Sequence, residues 1–192
     1  MALSAETAGR RYTYADLATF PDDHLRREIL DGDLVVNPAP TTRHQDAAIA
    51  LAVGLFNYSR TNGGKALIAP YDVLFAADNV VEPDLSFVRS DHLDQIGNKY
   101  MEGPPDLVIE ISSPSTRRLE LIQKKELYER FGVPEYWYVD LEAERVEVYV
   151  LVGSHYPSPA VKFQNEVLEP SGLPGLTVPV IEALAAEAPE RG

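Results

Sequence analysis

Two carboxylates occur in apolar runs, where a charge is costly. Glu110 lies in residues 106–112 (DLVIEIS), a nearly continuous apolar run typical of a central strand buried on both faces. A buried carboxylate requires a cation, a proton or a metal ion. Asp84 opens a second apolar run, residues 85–88, directly after Pro83. On neighbouring strands the two carboxylates would form a hard oxygen site suited to Mg²⁺ or Mn²⁺. Alternatively, Asp84 caps a turn and Glu110 pairs with an arginine.

A helical pattern distinguishes two adjacent lysines. Lys124, Leu127 and Tyr128 fall at i, i+3 and i+4, so Lys124 shares the apolar face of the predicted helix, whereas Lys125 faces water. We therefore expect Lys124 to point inward, where Glu110 on the preceding strand is the nearest acid. Alternatively, its aliphatic stem runs along the apolar surface and its ammonium group reaches solvent.

Two more polar residues occur in predicted elements near these groups. His44 shares one face of a predicted helix with Ala48, Leu51 and Leu55. A single histidine on an apolar face is usually a hydrogen-bonded core residue. Glu28 lies within a predicted hairpin, where its residue type alone indicates a surface or ion-paired side chain. Neither residue by itself predicts a site.

The elements that must position these residues are mixed helices and strands. A hairpin is predicted from residues 26–30 and 34–37, joined across Asp31 and Gly32. Further strands are predicted at residues 66–69, 72–75, 84–88, 106–112, 135–140 and 146–151. Helices are predicted at residues 13–20, 41–60, 118–131 and 180–188. Residues 89–104 form the longest predicted loop, a candidate lid. This order indicates the α/β class.

Composition limits the remaining possibilities. A chain of 192 residues with 45% hydrophobic and 24% charged residues predicts one globular domain, residues 1–192. The absence of cysteine excludes disulfides, thiolate metal sites and a cysteine nucleophile. No secretory signal or membrane span is recognisable, so we expect a cytoplasmic protein. A net charge of −13 argues against broad nonspecific affinity for nucleic acid, although residues 115–125 hold four bases and one acid.

Four segments together resemble a known family, the Uma-type restriction endonucleases of the PD-(D/E)XK nuclease superfamily. They are residues 27–34 (REILDGDL), 82–85 (EPDL), 105–116 (PDLVIEISSPST) and 124–140 (KKELYERFGVPEYWYVD). The last two segments are long and occur in the family's order. The resemblance implies a restriction-endonuclease-like core, a mixed sheet flanked by helices, over about residues 12–184.

The resemblance also implies roles for individual residues. Asp84, Glu110 and the backbone carbonyl of Ile111 would bind Mg²⁺ or Mn²⁺. The superfamily's lysine normally follows the second carboxylate by two residues, a position occupied here by Ser112. Lys124 matches a lysine that the family carries on the next helix instead. Two further matching positions, Glu28 and His44, would line the same pocket and join the catalytic residues.

The activity implied by the resemblance is metal-dependent hydrolysis of phosphodiester bonds in DNA by an endonuclease. The alternative is a non-catalytic nucleic-acid-binding or regulatory protein that retains the nuclease fold, which the net charge of −13 favours. Analogy with the family predicts a homodimer. We expect some of Tyr136, Trp137 and Tyr138 to be exposed, which supports that prediction, because alternation along a strand prevents all three from facing one core.

Overall fold

The computed structural model describes residues 10–21, 23, 25–112 and 119–185. Its α-helices are α1 (Tyr14–Leu17), α2 (Thr42–Asn62), α3 (Lys125–Arg130) and α4 (Val180–Ala183). Its strands are β1 (Arg26–Leu30), β2 (Asp33–Asn37), β3 (Lys65–Ile68), β4 (Asp72–Ala76), β5 (Asn79–Val81), β6 (Leu85–Val88), β7 (Tyr100–Glu102), β8 (Leu107–Ile111), β9 (Glu135–Asp140), β10 (Arg145–Val150), β11 (Ala160–Phe163), β12 (Val167–Leu168) and β13 (Val178–Pro179). Three predicted features extend outside the described residues. They are the helix start at Arg118, the helix end at residues 186–188, and residues 115–118 of the basic stretch at residues 115–125.

A mixed six-stranded sheet forms the centre of the fold, with the strand order β11-β10-β9-β8-β6-β3. β8 and β9 are parallel, and the other neighbouring pairs are antiparallel. α2 and α4 pack on one face through an apolar cluster that includes Leu51, Leu55 and Ile109. α3 and a second sheet cover the other face, through a cluster that includes Val108 and Leu127. Coverage on both faces explains why β8 is apolar at nearly every position. The predicted fold class, a mixed sheet flanked by helices, is confirmed.

The aromatic residues of β9 are buried, so the expectation that some of them are exposed is wrong. Trp137 packs in the cluster beneath α2, whereas Tyr136 and Tyr138 pack in the cluster on the opposite face. Alternation does send them to opposite sides, but both sides of this central strand are core. These residues therefore lend no support to a homodimer.

The second sheet is five-stranded, with the order β2-β1-β5-β4-β7. Its predicted hairpin is confirmed, with Leu30 opposite Asp33. The two turn residues, Asp31 and Gly32, have φ values of 49° and 79°, as a tight two-residue hairpin turn requires. This hairpin carries Glu28 toward the six-stranded sheet.

The predicted loop at residues 89–104 contains regular structure. Ser90–Gln95 forms a 3₁₀-helix, and β7 pairs in parallel with β4. β5 and the short strands β11, β12 and β13 were also missing from the prediction. Each has only two to four residues, too few to display a periodic pattern in the sequence. Among the described residues, no helix is long and apolar enough to span a membrane.

The helical segment that bears Lys124 has two parts. Leu119–Lys124 adopts π-helical geometry and continues directly into α3. Gly132 follows α3 with a φ of 76°, a left-handed conformation that glycine adopts without a steric penalty. The chain then enters β9 beside β8, so α3 lies across the strand that carries Glu110.

Candidate active site

The two predicted metal-binding carboxylates lie at adjacent strands. β6 and β8 are antiparallel, with Leu85 opposite Ile109, which brings Asp84 beside the end of β8. The backbone N–H of Ile111 donates to Oδ2 of Asp84 at 2.9 Å. Asp84 is 6% exposed and Glu110 is 1% exposed. The predicted placement on neighbouring strands is confirmed, and both carboxylates are buried.

Lys124 bridges two of the predicted site residues. Its Nζ lies 2.9 Å from Oε1 of Glu110 and 2.8 Å from Oε1 of Glu28. The inward orientation predicted from helical periodicity is confirmed, because Lys124 is only 2% exposed. Lys125 is half-buried at the surface, with its Nζ 5.5 Å from the centre of the Tyr149 ring. The two lysines therefore have different environments, and Lys124 does not reach solvent.

Glu28 is a fully buried member of this cluster. The side-chain amide of Asn37 donates to Oε2 at 2.7 Å, and the backbone N–H of Glu82 donates to Oε1 at 2.7 Å. With the ion pair to Lys124, both carboxylate oxygens of Glu28 have partners. Glu28 is thus ion-paired but is not a surface residue, because the hairpin that carries it lies against the central sheet.

Arg26 is a site residue that the sequence reasoning missed. Its Nη1 lies 3.1 Å from Oδ1 of Asp84, and its Nε lies 3.1 Å from Oε2 of Glu82. A signal was available, since Arg26 and Glu28 are two residues apart in one strand and must share a face. Arg26 supplies the positive charge nearest to Asp84 that does not depend on pH.

His44 reaches Asp84 from α2. The helix begins after Thr41, whose Oγ1 accepts a hydrogen bond from the backbone N–H of His44. The Nε2 of His44 lies 3.1 Å from Oδ2 of Asp84. Its Nδ1 is buried and has no hydrogen-bond partner within the described part of the chain. A proton on Nε2 satisfies the carboxylate and leaves Nδ1 as an acceptor.

Tyr128 is the second missed residue. Its hydroxyl donates a hydrogen bond to Oε1 of Glu110, the same oxygen that Lys124 contacts. The sequence placed Tyr128 on the buried face of the helix but did not reveal that its hydroxyl has a charged partner. One helix turn therefore supplies two donors to one carboxylate oxygen.

The cluster holds more acidic than basic groups. Five carboxyl groups are linked by the contacts above or by electrostatic coupling, and they belong to Glu28, Asp72, Glu82, Asp84 and Glu110. Besides His44, only two basic side chains, Arg26 and Lys124, contact them in the described part of the chain. A cluster of this composition favours uptake of protons or of a cation.

The pKa values of the carboxyl groups reflect this imbalance. Burial raises the pKa of Glu110 to about 7, with further contributions from Asp84 and Glu28, although Lys124 and Tyr128 lower it. Burial likewise raises the pKa of Asp72 to about 6, assisted by the neighbouring Glu82. Asp84 differs, because burial raises its pKa but the contacts with His44, Arg26 and the Ile111 amide outweigh burial and lower it. Asp84 is therefore ionised at neutral pH.

The donor atoms fit a divalent cation of the magnesium type. A carboxylate offers about four acceptor positions, and the contacts above use three on Asp84 and two on Glu110. In a strand the N–H and C=O of one residue point to the same side, so the Ile111 carbonyl is directed toward Asp84 as well. Among the described residues, no group of three or more His, Asp or Glu side chains forms a ready-made metal site. The two carboxylates and the carbonyl are of the hard oxygen type that such a cation binds.

An open cleft gives access to this cluster. It has a volume of about 270 Å³ and is lined by Arg26, Pro40, His44, Gln45, Ala48, Ile68, Ala69, Pro70 and Asp84. Arg26, His44 and Asp84 thus face a space that a small part of a larger substrate can enter. Glu110, Lys124 and Glu28 lie behind them.

Comparisons with known proteins identify a family and a fold. A model of the Uma2 family, described as "Putative restriction endonuclease", matches residues 12–182. The fold is similar to the crystal structure of a "putative nuclease" belonging to DUF820 from Anabaena variabilis, with a TM-score of 0.76 and 17% sequence identity over 90% of this chain and 97% of the other. None of the curated proteins gives a significant match.

Proposed function

The chain belongs to the Uma2 family of restriction-endonuclease-type proteins, and on that premise we propose that it is a metal-dependent endonuclease that hydrolyses phosphodiester bonds in DNA. The observation that carries the proposal is the buried Lys124, whose ammonium group is held between Glu28 and Glu110 near Asp84. Burying three charged groups is costly, and a hydrophobic replacement would serve the fold equally well. Such clusters are typical of active sites.

Asp84 and Glu110, with the Ile111 carbonyl, would hold the cation. A bound Mg²⁺ or Mn²⁺ supplies Lewis acidity, which makes a water nucleophilic near neutral pH and offsets the charge of the phosphate. Lys124 is preorganised by its two carboxylate contacts to orient the attacking water or to stabilise the negative charge that develops on the phosphate. Its flanking carboxylates favour the charged ammonium, so we assign Lys124 an electrostatic role and not that of a base.

The other cluster residues position the catalytic groups. Glu28 is the second carboxylate, beside Glu110, that holds the ammonium of Lys124. Arg26 and His44 hold the Asp84 carboxylate from two directions and both line the cleft. Arg26 retains N–H groups beyond those it donates to Asp84 and Glu82, and these can donate to a phosphate oxygen that enters the cleft. Tyr128 keeps Glu110 in place.

A second candidate function is supported by the net charge of −13. Such a chain has weak long-range attraction for DNA, as expected of a regulatory protein that does not need to capture and cleave DNA. In that case the buried cluster would be a structural remnant. Cleavage assays distinguish the two candidates, because the second predicts no metal-dependent turnover on any substrate.

The test is a cleavage assay of the purified chain with Mg²⁺ or Mn²⁺ on single-stranded, double-stranded and branched DNA. We expect cleavage that is abolished by a chelator and lost in Asp84→Asn and Glu110→Gln, with Asp91→Asn as the matched control. Asp91 is an ion-paired surface carboxylate in the 3₁₀-helix, outside the cluster. Equal rates in Asp84→Asn and Asp91→Asn would reject the proposed site, and no cleavage of any substrate by the unaltered chain would favour the binding protein.

A further inference from the structure

One face of α2 is apolar although it is not covered by the described part of the chain. Its buried stripe, which includes Leu51 and Leu55, packs against the six-stranded sheet. On the other side, Ile49, Val53 and Phe56 are 57%, 53% and 57% exposed. A helix that is apolar on both sides normally lies in an interior. This second stripe therefore indicates a contact with another molecule.

The exposed stripe continues onto the edge of the six-stranded sheet. β3 is the terminal strand of that sheet and pairs with β6 on one side only. Ile68 at its end is 49% exposed. A cleft of about 390 Å³ lies between α2 and β3. It is lined by Ile49, Ala52, Val53, Phe56, Asn57, Ala66, Leu67, Ile68 and Leu85. We call this surface, formed by the exposed stripe of α2 and by β3, the α2/β3 face.

The size of the α2/β3 face fits a protein partner. Its four half-exposed side chains present on the order of 400 Å² of apolar surface, within the range of patches that are often functional. One partner in a stable protein complex contributes about 800 Å², so this patch would form the apolar centre of such an interface. Flanking polar residues would supply the remainder.

The charges on this face select the kind of partner. The centre of the face, residues 47–59, contains no charged side chain in a chain of net charge −13, and the charges Asp46, Arg60 and Lys65 lie toward its ends. A nucleic acid does not fit as the occupant, because among the described residues its phosphates would meet only two cations, Arg60 and Lys65, beside an apolar surface. Two copies of an acidic chain repel each other, and a charge-free surface is where they can approach at the lowest electrostatic cost.

The two charged residues at the ends of the stripe are arranged for self-association. Asp46 and Arg60 each lie seven residues from Val53, on the same side of the helix because seven residues make about two turns. Both are exposed, and neither forms an ion pair with another described residue. If two α2 helices pack antiparallel across a two-fold axis at Val53, Asp46 of each copy approaches Arg60 of the other.

We propose that the α2/β3 face binds a second copy of this chain in an isologous dimer, with Val53 near the two-fold axis. A closed two-fold interface uses the same patch on both subunits, as the symmetric positions of Asp46 and Arg60 require. Ile68 lines both this face and the catalytic cleft, so the catalytic cleft of each subunit adjoins the dimer interface. Only that last consequence, cleavage by two neighbouring sites, rests on the proposed function.

The absence of cysteine allows a direct test of the geometry. Packed helix axes lie about 8–10 Å apart and Cα atoms about 2.3 Å from each axis, so facing Cα atoms at the two-fold axis are about 3.4–5.4 Å apart, which overlaps the range of about 4.4–6.8 Å that a disulfide needs. We expect Val53→Cys to form a covalent dimer rapidly under mild oxidation. Val152→Cys is the matched control, because Val152 is 57% exposed and lies beyond β10, away from α2.

Mass measurements by light scattering test the interface without any nuclease assay. We expect twice the chain mass of 21.2 kDa for the unaltered protein and a monomer for Phe56→Glu, with similar thermal unfolding of the subunit. Asp46→Arg should weaken the dimer at least several-fold, and Asp46→Arg combined with Arg60→Asp should restore it.

Three results would overturn the proposal. The first is a monomer mass for the unaltered chain across a wide concentration range, which would assign the face to a different protein. The second is crosslinking of Val53→Cys no faster than that of Val152→Cys. The third is a dimer that Phe56→Glu leaves intact, which would place the interface elsewhere. None of these outcomes depends on whether the chain cleaves DNA.

Discussion

Replacing Lys124 by methionine is the sharpest test of the buried cluster. The change keeps the length and apolar stem of the side chain but removes the ammonium group. Glu28 and Glu110 then lose the cation that lies 2.8 and 2.9 Å from their oxygens. Removing one partner of a buried ion pair typically costs about 3–5 kcal/mol. For a chain of this size, each kcal/mol lowers the melting temperature by about 2–4 °C, so we expect a drop of roughly 6–20 °C.

The loss of stability should depend on pH. Glu110 has a raised pKa of about 7, and it can take up a proton once Lys124 is gone. Protonation removes one of the two uncompensated charges. The difference in melting temperature between the unaltered chain and Lys124→Met should therefore be smaller at pH 6 than at pH 8. Thermal unfolding followed by circular dichroism in metal-free buffer measures both values.

Lys125→Met is the matched control. Lys125 loses only its contact with the Tyr149 ring, at 5.5 Å, an exposed cation–π interaction worth at most about 1 kcal/mol. In the presence of Mg²⁺, at a temperature where all variants are folded, we expect Lys124→Met to lower the cleavage rate by a factor of about 10² to 10³. Lys125→Met should change the rate little. Equal losses of stability and rate in the two variants would refute the assignment of Lys124 to the site.

Three further outcomes are expected. Mg²⁺ at one hundred times its dissociation constant should stabilise the chain by about 2.7 kcal/mol, or roughly 5–10 °C in melting temperature. Asp84→Asn should abolish this shift, and an unchanged shift in the variant would contradict metal binding at Asp84. Without metal, the unfolded chain releases the Glu110 proton near the ordinary pKa of 4.5, whereas the folded chain keeps it to about 7. The Glu110 contribution should therefore lower the free energy of unfolding as pH rises from 4.5 to 7, and denaturant titrations of Glu110→Gln should show a flatter profile than the unaltered chain. Tyr128→Phe removes a buried donor to Glu110 and should cost about 1–3 kcal/mol in a urea titration, and a neutral effect would argue against that hydrogen bond.

Local patterns in the sequence were sufficient for several features of the site. The 3.6-residue period of the helix separated the buried Lys124 from Lys125, and the apolar run around Glu110 identified a central strand. The hairpin turn at residues 31–32 was readable because only a few residue types adopt its backbone conformation. Each of these features depends on neighbours within a few positions, which the sequence displays directly.

The tertiary structure alone decided what each buried group contacts. Arg26 and Asp84 are 58 residues apart in sequence, and the distance between them depends on how the five-stranded sheet packs against the six-stranded one. The same packing buries Glu28 and gives Lys124 its second carboxylate. Trp137 and its neighbours show most clearly what the sequence does not reveal. Alternation predicts that their side chains point to opposite faces of the strand, but not that other elements cover both faces. Periodicity reports which side of an element is apolar, whereas the partner on that side is set by long-range packing that no local pattern encodes.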